Sequence, residues 1–196
     1  RSVGRINDTL IEEGLADNTI VVFSSDNGGA GYIGLPGVNE PFRGWKLTNF
    51  EGGLRVPMFV KWPDKVAPGT RVKKPVAHID LMPTLAAAAD AEIPQDLEIA
   101  GVNILPLATG DAGAAWDRKT LFWQSGYYRV VRNEDWKLQV SDDPKKAWLF
   151  NLAEDPTEQN NLATSEPEKL AELKALLAEH KASAREPLYP FVADMP

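Results

Sequence analysis

The chain has 196 residues, 43% hydrophobic and 25% charged, enough for one large domain, or one and a half small ones, with a real core. Asp and Glu number 28 against 21 Lys and Arg, a net charge of −7, so the basic footprint of a nucleic-acid binder is excluded. The absence of cysteine rules out a disulfide, a zinc–thiolate centre and a cysteine nucleophile, and no apolar run approaches the ~20 residues of a membrane span.

Val3, Ile6, Leu10, Ile11 and Leu15 recur at helical spacing and predict an opening helix that ends between Gly14 and Asn18. Thr19 to Phe23 is a short, continuous, mostly β-branched run. It predicts a strand buried on both faces, as in a parallel sheet of an α/β domain. That strand runs into Ser24-Ser25-Asp26-Asn27-Gly28-Gly29, placing polar groups at a strand's carboxyl end, where open α/β sheets hold their ligands. Residues 28–50 read as a long Gly- and Pro-containing loop, and loops of that length in compact domains are functional or disordered. Val56 to Trp62 is a second strand, and Ile79 to Ala89 a helix with His78 or Asp80 near its start and Pro83 in its first turn.

Residues 108–115 are small and flexible in character and mark the boundary between an α/β portion, 1–112, and a subdomain, 113–196. Beyond it, Leu121–Trp123, Tyr127–Arg132, Trp136–Val140 and Ala147–Leu152 are short strands separated by turn residues, which predicts a small antiparallel sheet. A last helix is expected from about Glu166 to Ala184, with Ser165 and Glu168 as a capping box and an apolar stripe of Leu170, Leu173, Leu176 and Leu177. Residues 187–196 read as an extended arm.

Few residues are equipped for chemistry. Asp26 and Asn27 offer a carboxylate and an amide carbonyl, hard oxygen donors suited to Ca²⁺ or Mg²⁺, and a turn lets both face one ion. The same tripeptide, Asp26-Asn27-Gly28, also suits a plain Asx turn that closes a strand. Lys46, in Phe42-Arg43-Gly44-Trp45-Lys46, is either an oxyanion-binding point charge or a solvated lysine. Glu51 and Arg55 are spaced to reach each other across Gly52-Gly53 and read as structural. His78 and His180 are the only histidines, the first read as a hydrogen-bonded structural residue and the second as solvated. The aromatic residues between Trp116 and Trp136 suit a sugar or aryl platform, or the core of the small sheet.

Taken in order, these segments resemble the sulfatase family. The resemblance rests on Ser25-Asp26-Asn27-Gly28, Phe42-Arg43-Gly44-Trp45-Lys46, Glu51-Gly52-Gly53-Leu54-Arg55-Val56-Pro57 and Trp62-Pro63. It continues through His78-Ile79-Asp80-Leu81-Met82-Pro83-Thr84-Leu85, Trp136-Lys137-Leu138, and Leu149-Phe150-Asn151-Leu152 with Asp155-Pro156, Glu158 and Asn160-Asn161-Leu162. It implies the C-terminal half of an arylsulfatase-type, formylglycine-dependent enzyme. The expected fold is then the C-terminal part of an alkaline-phosphatase-like α/β domain with a mixed or parallel sheet, followed by the antiparallel subdomain and terminal helix. Asp26 and Asn27 are thereby implied as calcium ligands and Lys46 as a sulfate-binding residue, with sulfate esters as substrates. Formylglycine arises from Cys or Ser in a Cys/Ser-x-Pro-x-Arg motif, which this chain lacks: Ser165-Glu166-Pro167-Glu168 is followed by Lys169. The nucleophile is therefore expected in a missing N-terminal half, the calcium site is incomplete, and the chain alone is expected to be inactive. That missing half, or self-association, supplies the expected partner. The two rival readings are a related phosphonate monoester or phosphodiester hydrolase and a non-catalytic binding or assembly module. The family is often periplasmic, secreted or lysosomal, and no signal for a compartment stands in this chain.

Overall fold

The computed structural model describes residues 1–110, 116 and 118–185. In chain order the helices are α1 (Ser2–Glu12), α2 (Glu51–Leu54), α3 (Leu81–Ala88), α4 (Leu105–Thr109) and α5 (Pro167–Ser183). The strands are β1 (Val21–Ser24), β2 (Met58–Lys61), β3 (Thr120–Ser125), β4 (Tyr128–Asn133), β5 (Trp136–Asp142) and β6 (Lys145–Asn151). Two compact units are woven from interleaved segments, one from residues 1–24 and 57–118, the other from 25–56 and 119 onward.

In the first unit α1 ends as its sequence dictates. Gly14 takes φ +68°, and the N–H groups of Gly14 and Leu15 bond to the carbonyls of Ile11 and Leu10, satisfying the last turn. β1 and β2 pair antiparallel, Val21 opposite Lys61 and Ser24 opposite Met58. This differs from the parallel arrangement that the apolar run suggests. Nor is β1 covered on both faces: Phe23 and its cross-strand partner Phe59 are 46% and 65% exposed, their ring centroids 6.2 Å apart. An apolar run reports burial of some kind, but not which strand lies alongside or in which direction. The helix expected from residue 79 opens as a 3₁₀ turn, His78–Asp80, before α3. Asp80, fully buried, anchors it by accepting from the N–H groups of Ala77 and Val102, and it meets Arg118 through both guanidinium Nη atoms. His78 Nε2 lies 3.2 Å from Ser24 Oγ, a structural hydrogen bond.

The second unit holds the four-stranded antiparallel sheet β3-β4-β5-β6. Side chains alternate across it. Val131, Leu138 and Leu149 stand in register and meet Leu173 and Leu177 of α5, with Leu170 and Leu176 at the margin of that core. Aliphatic residues fill this centre. Phe122 and Trp136 pack at its edge and Tyr127 and Tyr128 remain exposed, so the aromatic cluster is not the core that its composition suggests. The opposite face is also covered. Phe50 sets its ring edge-on to Trp148 and Phe150 at centroid distances of 6.0 and 6.2 Å, and Lys137 meets Glu51.

The start of α5 corrects one expectation. Glu166 is the N-cap, without a side-chain cap bond, and Ser165 Oγ instead donates to the Leu162 carbonyl. Pro167 at the first helical position lacks one of the N–H groups that a helix start leaves without an intrahelical partner. His180 is exposed as expected, yet it stacks on Phe122, 4.0 Å between centroids and 5° between planes. The expected arm at 187–196 and residues 111–115 of the boundary stretch lie outside the described residues.

Candidate functional site

Asp26, Asn27 and Lys46 all fall in the second unit. The turn after β1 is closed by Ser25 Oγ, which donates to the Asn27 carbonyl at 2.7 Å, and by Asn27 Nδ2, which donates to the Gly28 carbonyl at 2.8 Å. Committing the nitrogen of the Asn27 amide leaves its Oδ1 as an uncommitted acceptor. Asp26 is exposed, and its carboxylate has no hydrogen-bond or ion-pair partner among the described residues. The ammonium of half-buried Lys46 is likewise unpaired among them.

The turn and the lysine are tied to one backbone framework. The Gly28 N–H donates to the Gly53 carbonyl at 2.9 Å, and the Lys46 N–H donates to the Gly29 carbonyl at 3.1 Å. Asn39 completes the tie: its Oδ1 accepts from the Gly29 N–H at 2.6 Å, and its Nδ2 donates to the carbonyls of Gly29 and Gly44. Gly28 is obligatory, since a Cβ there would lie 1.7 Å from the Gly52 carbonyl oxygen. A hollow of about 200 Å³ on the same loop is lined by Gly31, Leu35, Asn39, Phe42 and Trp45.

Beneath the framework lies a charged centre. Lys137 Nζ stands 2.8 Å from Glu51 Oε1 and 2.8 Å from Glu158 Oε1, and the Glu51 N–H donates to Glu158 Oε2 at 2.5 Å. All three side chains are at most 5% exposed. Glu51 also lies 4.0 Å from Arg55, the pairing expected from spacing, but Arg55 is mostly in solvent and Lys137 is the nearer cation. Burial pushes the Glu158 carboxyl above its ordinary range, and the neighbouring Lys137 only partly offsets that. Asp155 goes the other way. Burial raises it, but hydrogen bonds from the backbones of Asn160, Gln159 and Thr157 and the Thr157 hydroxyl together hold it below the usual value.

Lys137 and Glu158 stand in segments that carry the family resemblance, but neither they nor Asn39 are singled out by the sequence as neighbours of the Asp26–Asn27 turn and Lys46. Trp136-Lys137-Leu138-Gln139-Val140 alternates so that Lys137 takes the face of the sheet opposite its aliphatic core, where Phe50, Glu51 and Glu158 pack against it. Among the described residues no group of three or more His, Cys, Asp or Glu side chains is gathered as a metal site, and no helix is long and apolar enough to cross a membrane.

A profile of the family described as N-sulphoglucosamine sulphohydrolase, C-terminal, matches residues 44–186. Steryl-sulfatase of Mus musculus is 40% identical over 136 residues, covering 66% of this chain and 22% of that protein. Ps i-CgsB, solved in complex with k-i-k-neocarrahexaose, superposes with a TM-score of 0.83 at 27% identity, covering 97% of this chain and 42% of that one. The phosphonate monoester hydrolase SpPMH of Silicibacter pomeroyi superposes with a TM-score of 0.74 over 92% of this chain and 38% of that one. At 22% identity that likeness is one of fold alone. The chain thus spans less than half the length of each of these proteins.

Proposed function

This chain belongs to the sulfatase family, with its alkaline-phosphatase-like fold, and on that premise we propose that it is the C-terminal part of a sulfuric ester hydrolase. In this reading it contributes part of a calcium and sulfate-binding site, and the nucleophile comes from residues outside these 196. The observation that carries the reading is the framework through Gly28, Gly29 and Asn39, which ties the Asp26–Asn27 turn to Lys46 while leaving both side-chain charges unpaired among the described residues.

The donors suit calcium in kind, a carboxylate and an amide carbonyl, but not in number. Calcium takes about 6–8 oxygens and these two residues supply roughly two or three. Asp26 and Asn27 would hold the ion on one side, with the remaining ligands drawn from elsewhere in the protein. When bound, the ion supplies positive charge against the sulfuryl oxygens. Lys46 would hold a sulfate oxygen as a compact point charge on a backbone already fixed by Gly29. The chain has no cysteine and no Ser-x-Pro-x-Arg, so it contains no precursor of formylglycine and would not turn over a sulfate ester by itself.

The test compares the isolated chain with the full-length protein that carries it, on a chromogenic aryl sulfate and the matching aryl phosphonate, with calcium present. The full-length protein should hydrolyse the sulfate in preference, and the isolated chain neither. Multiple turnover by the isolated chain, or preference for the phosphonate, would overturn the reading.

A further inference from the structure

We propose that Lys137 is a positioning residue for the Asp26, Asn27 and Lys46 half-site: with Glu51 and Glu158 it locks the α2 turn from which both the Asp26–Asn27 turn and the Lys46 loop are hung. The functional side of this inference rests on the reading above; the structural coupling does not.

Lys137 projects from β5 on the face opposite α5, where its ammonium is shared between two buried carboxylates. Such a centre is a poor way to gain stability, because apolar residues of similar volume often do as well, but it admits few alternative arrangements. What it fixes is specific. Glu51 is the first residue of α2, and its N–H is itself held by Glu158. The next residue, Gly52, donates to the Arg43 carbonyl at 2.7 Å, and Gly53 accepts from Gly28 at 2.9 Å. Arg43 is gripped a second time, its Nη1 donating to the Glu158 carbonyl at 3.1 Å and its guanidinium lying 4.1 Å over the Phe50 ring. Lys46 follows Arg43 by three residues and bonds back to Gly29, next to Gly28.

Two paths therefore leave the charged centre and meet again. One runs from Glu51 through Gly53 and Gly28 to Asn27. The other runs from Glu158 through Arg43 to Lys46 and on to Gly29. There is no slack at the crossing: a Cβ on Gly52 would lie 2.4 Å from the Gly44 carbonyl oxygen, and one on Gly53 2.0 Å from that of Thr48. A rotation of α2 must move the Asp26–Asn27 turn and the Lys46 loop together.

Hydrogen exchange in the full-length protein, read residue by residue, tests this. In the wild type, the amides of Gly28, Lys46 and Gly52 should open as one cooperative unit, with one denaturant dependence. In the Lys137→Met, Glu51→Gln double variant, which removes the cation together with one carboxylate, these three amides should exchange about tenfold faster or more, while Leu173 and Leu177 of α5 keep their protection. On an aryl sulfate the same variant should lose kcat with KM little changed, and Lys137→Arg should restore part of what Lys137→Met loses. Three separate opening free energies in the wild type, or unaltered exchange at Gly28 in a folded variant, would overturn the positioning role. Coupled exchange without any aryl-sulfate turnover in the wild type would support the coupling and sink the sulfatase half-site instead.

Discussion

Lys137 Nζ lies 2.8 Å from Glu51 Oε1, a partner 86 residues distant in the chain, and neither side chain is more than 5% exposed. The same ammonium stands 2.8 Å from Glu158, so one cation serves two carboxylates away from water. Removing the cation alone leaves both carboxylates uncompensated. Lys137→Met should therefore cost about 3–5 kcal/mol of stability in urea unfolding. Adding Glu158→Gln should recover part of it, with a coupling of roughly 0.5–3 kcal/mol across the double-mutant cycle. Simple additivity would show that the contact contributes nothing.

Burial raises the Glu158 carboxyl above its ordinary value of 4.5, which sets a sign for the effect of pH. A group that binds its proton more tightly when folded contributes most below its unfolded value, and that contribution is lost as pH rises through the folded value. Relative to Glu158→Gln, the wild type should lose stability as pH climbs from about 4.5. Asp155, held below its ordinary 3.8, acts in the opposite direction, its contribution present above that value and lost as pH falls through the folded one. Parallel unfolding curves of the wild type and Glu158→Gln at every pH would contradict the first assignment.

Gly28→Ala should unfold the turn. The added Cβ would sit 1.7 Å from the Gly52 carbonyl oxygen, and backbone, unlike a flexible side chain, has little room to yield. An overpacking loss of about 1–3 kcal/mol or more is expected in thermal or urea melts. A variant of wild-type stability would mean that the turn does not pack on α2 as described.

The strands and helices of this chain are largely legible in its sequence, because alternation and helical spacing report local burial. The Leu170, Leu173, Leu176, Leu177 stripe meets the sheet as its spacing predicts. Register with non-local partners is what the sequence hides. Antiparallel pairing of β1 with β2 depends on a strand 34 residues further along, counting Met58 opposite Ser24. Lys137 looks like an outward, solvated residue because nothing in β5 announces that residues 43–51 cover that face. Ser165 fits a capping box by spacing, yet the neighbouring Pro167 moves the helix start by one residue. Asp26, Asn27 and Lys46 are candidates by residue type alone, whereas Asn39, which bonds to the backbones of Gly29 and Gly44, is visible only once the loop is folded.

Asp80 gives the first unit its own test. It is fully buried, takes two backbone N–H groups and pairs with both Nη atoms of Arg118. Asp80→Asn removes the charge and turns an amide NH₂ toward donors, so a loss of about 3–5 kcal/mol is expected by denaturant unfolding. A loss under about 1 kcal/mol, the range of an exposed pair, would show that the Arg118 contact is solvated.

The half-site is tested most directly by steady-state hydrolysis of a chromogenic aryl sulfate by the full-length protein and its Lys46→Ala variant. Lys46 supports no core and makes no side-chain bond among the described residues, so its removal should leave the melting temperature nearly unchanged. If its charge holds a sulfate oxygen as proposed, losing that one stabilising contact should lower kcat/KM by about 100-fold or more, roughly 3 kcal/mol. A folded Lys46→Ala variant with wild-type kcat/KM would contradict the assignment, and with it the sulfate half-site built on Gly29 and Asn39.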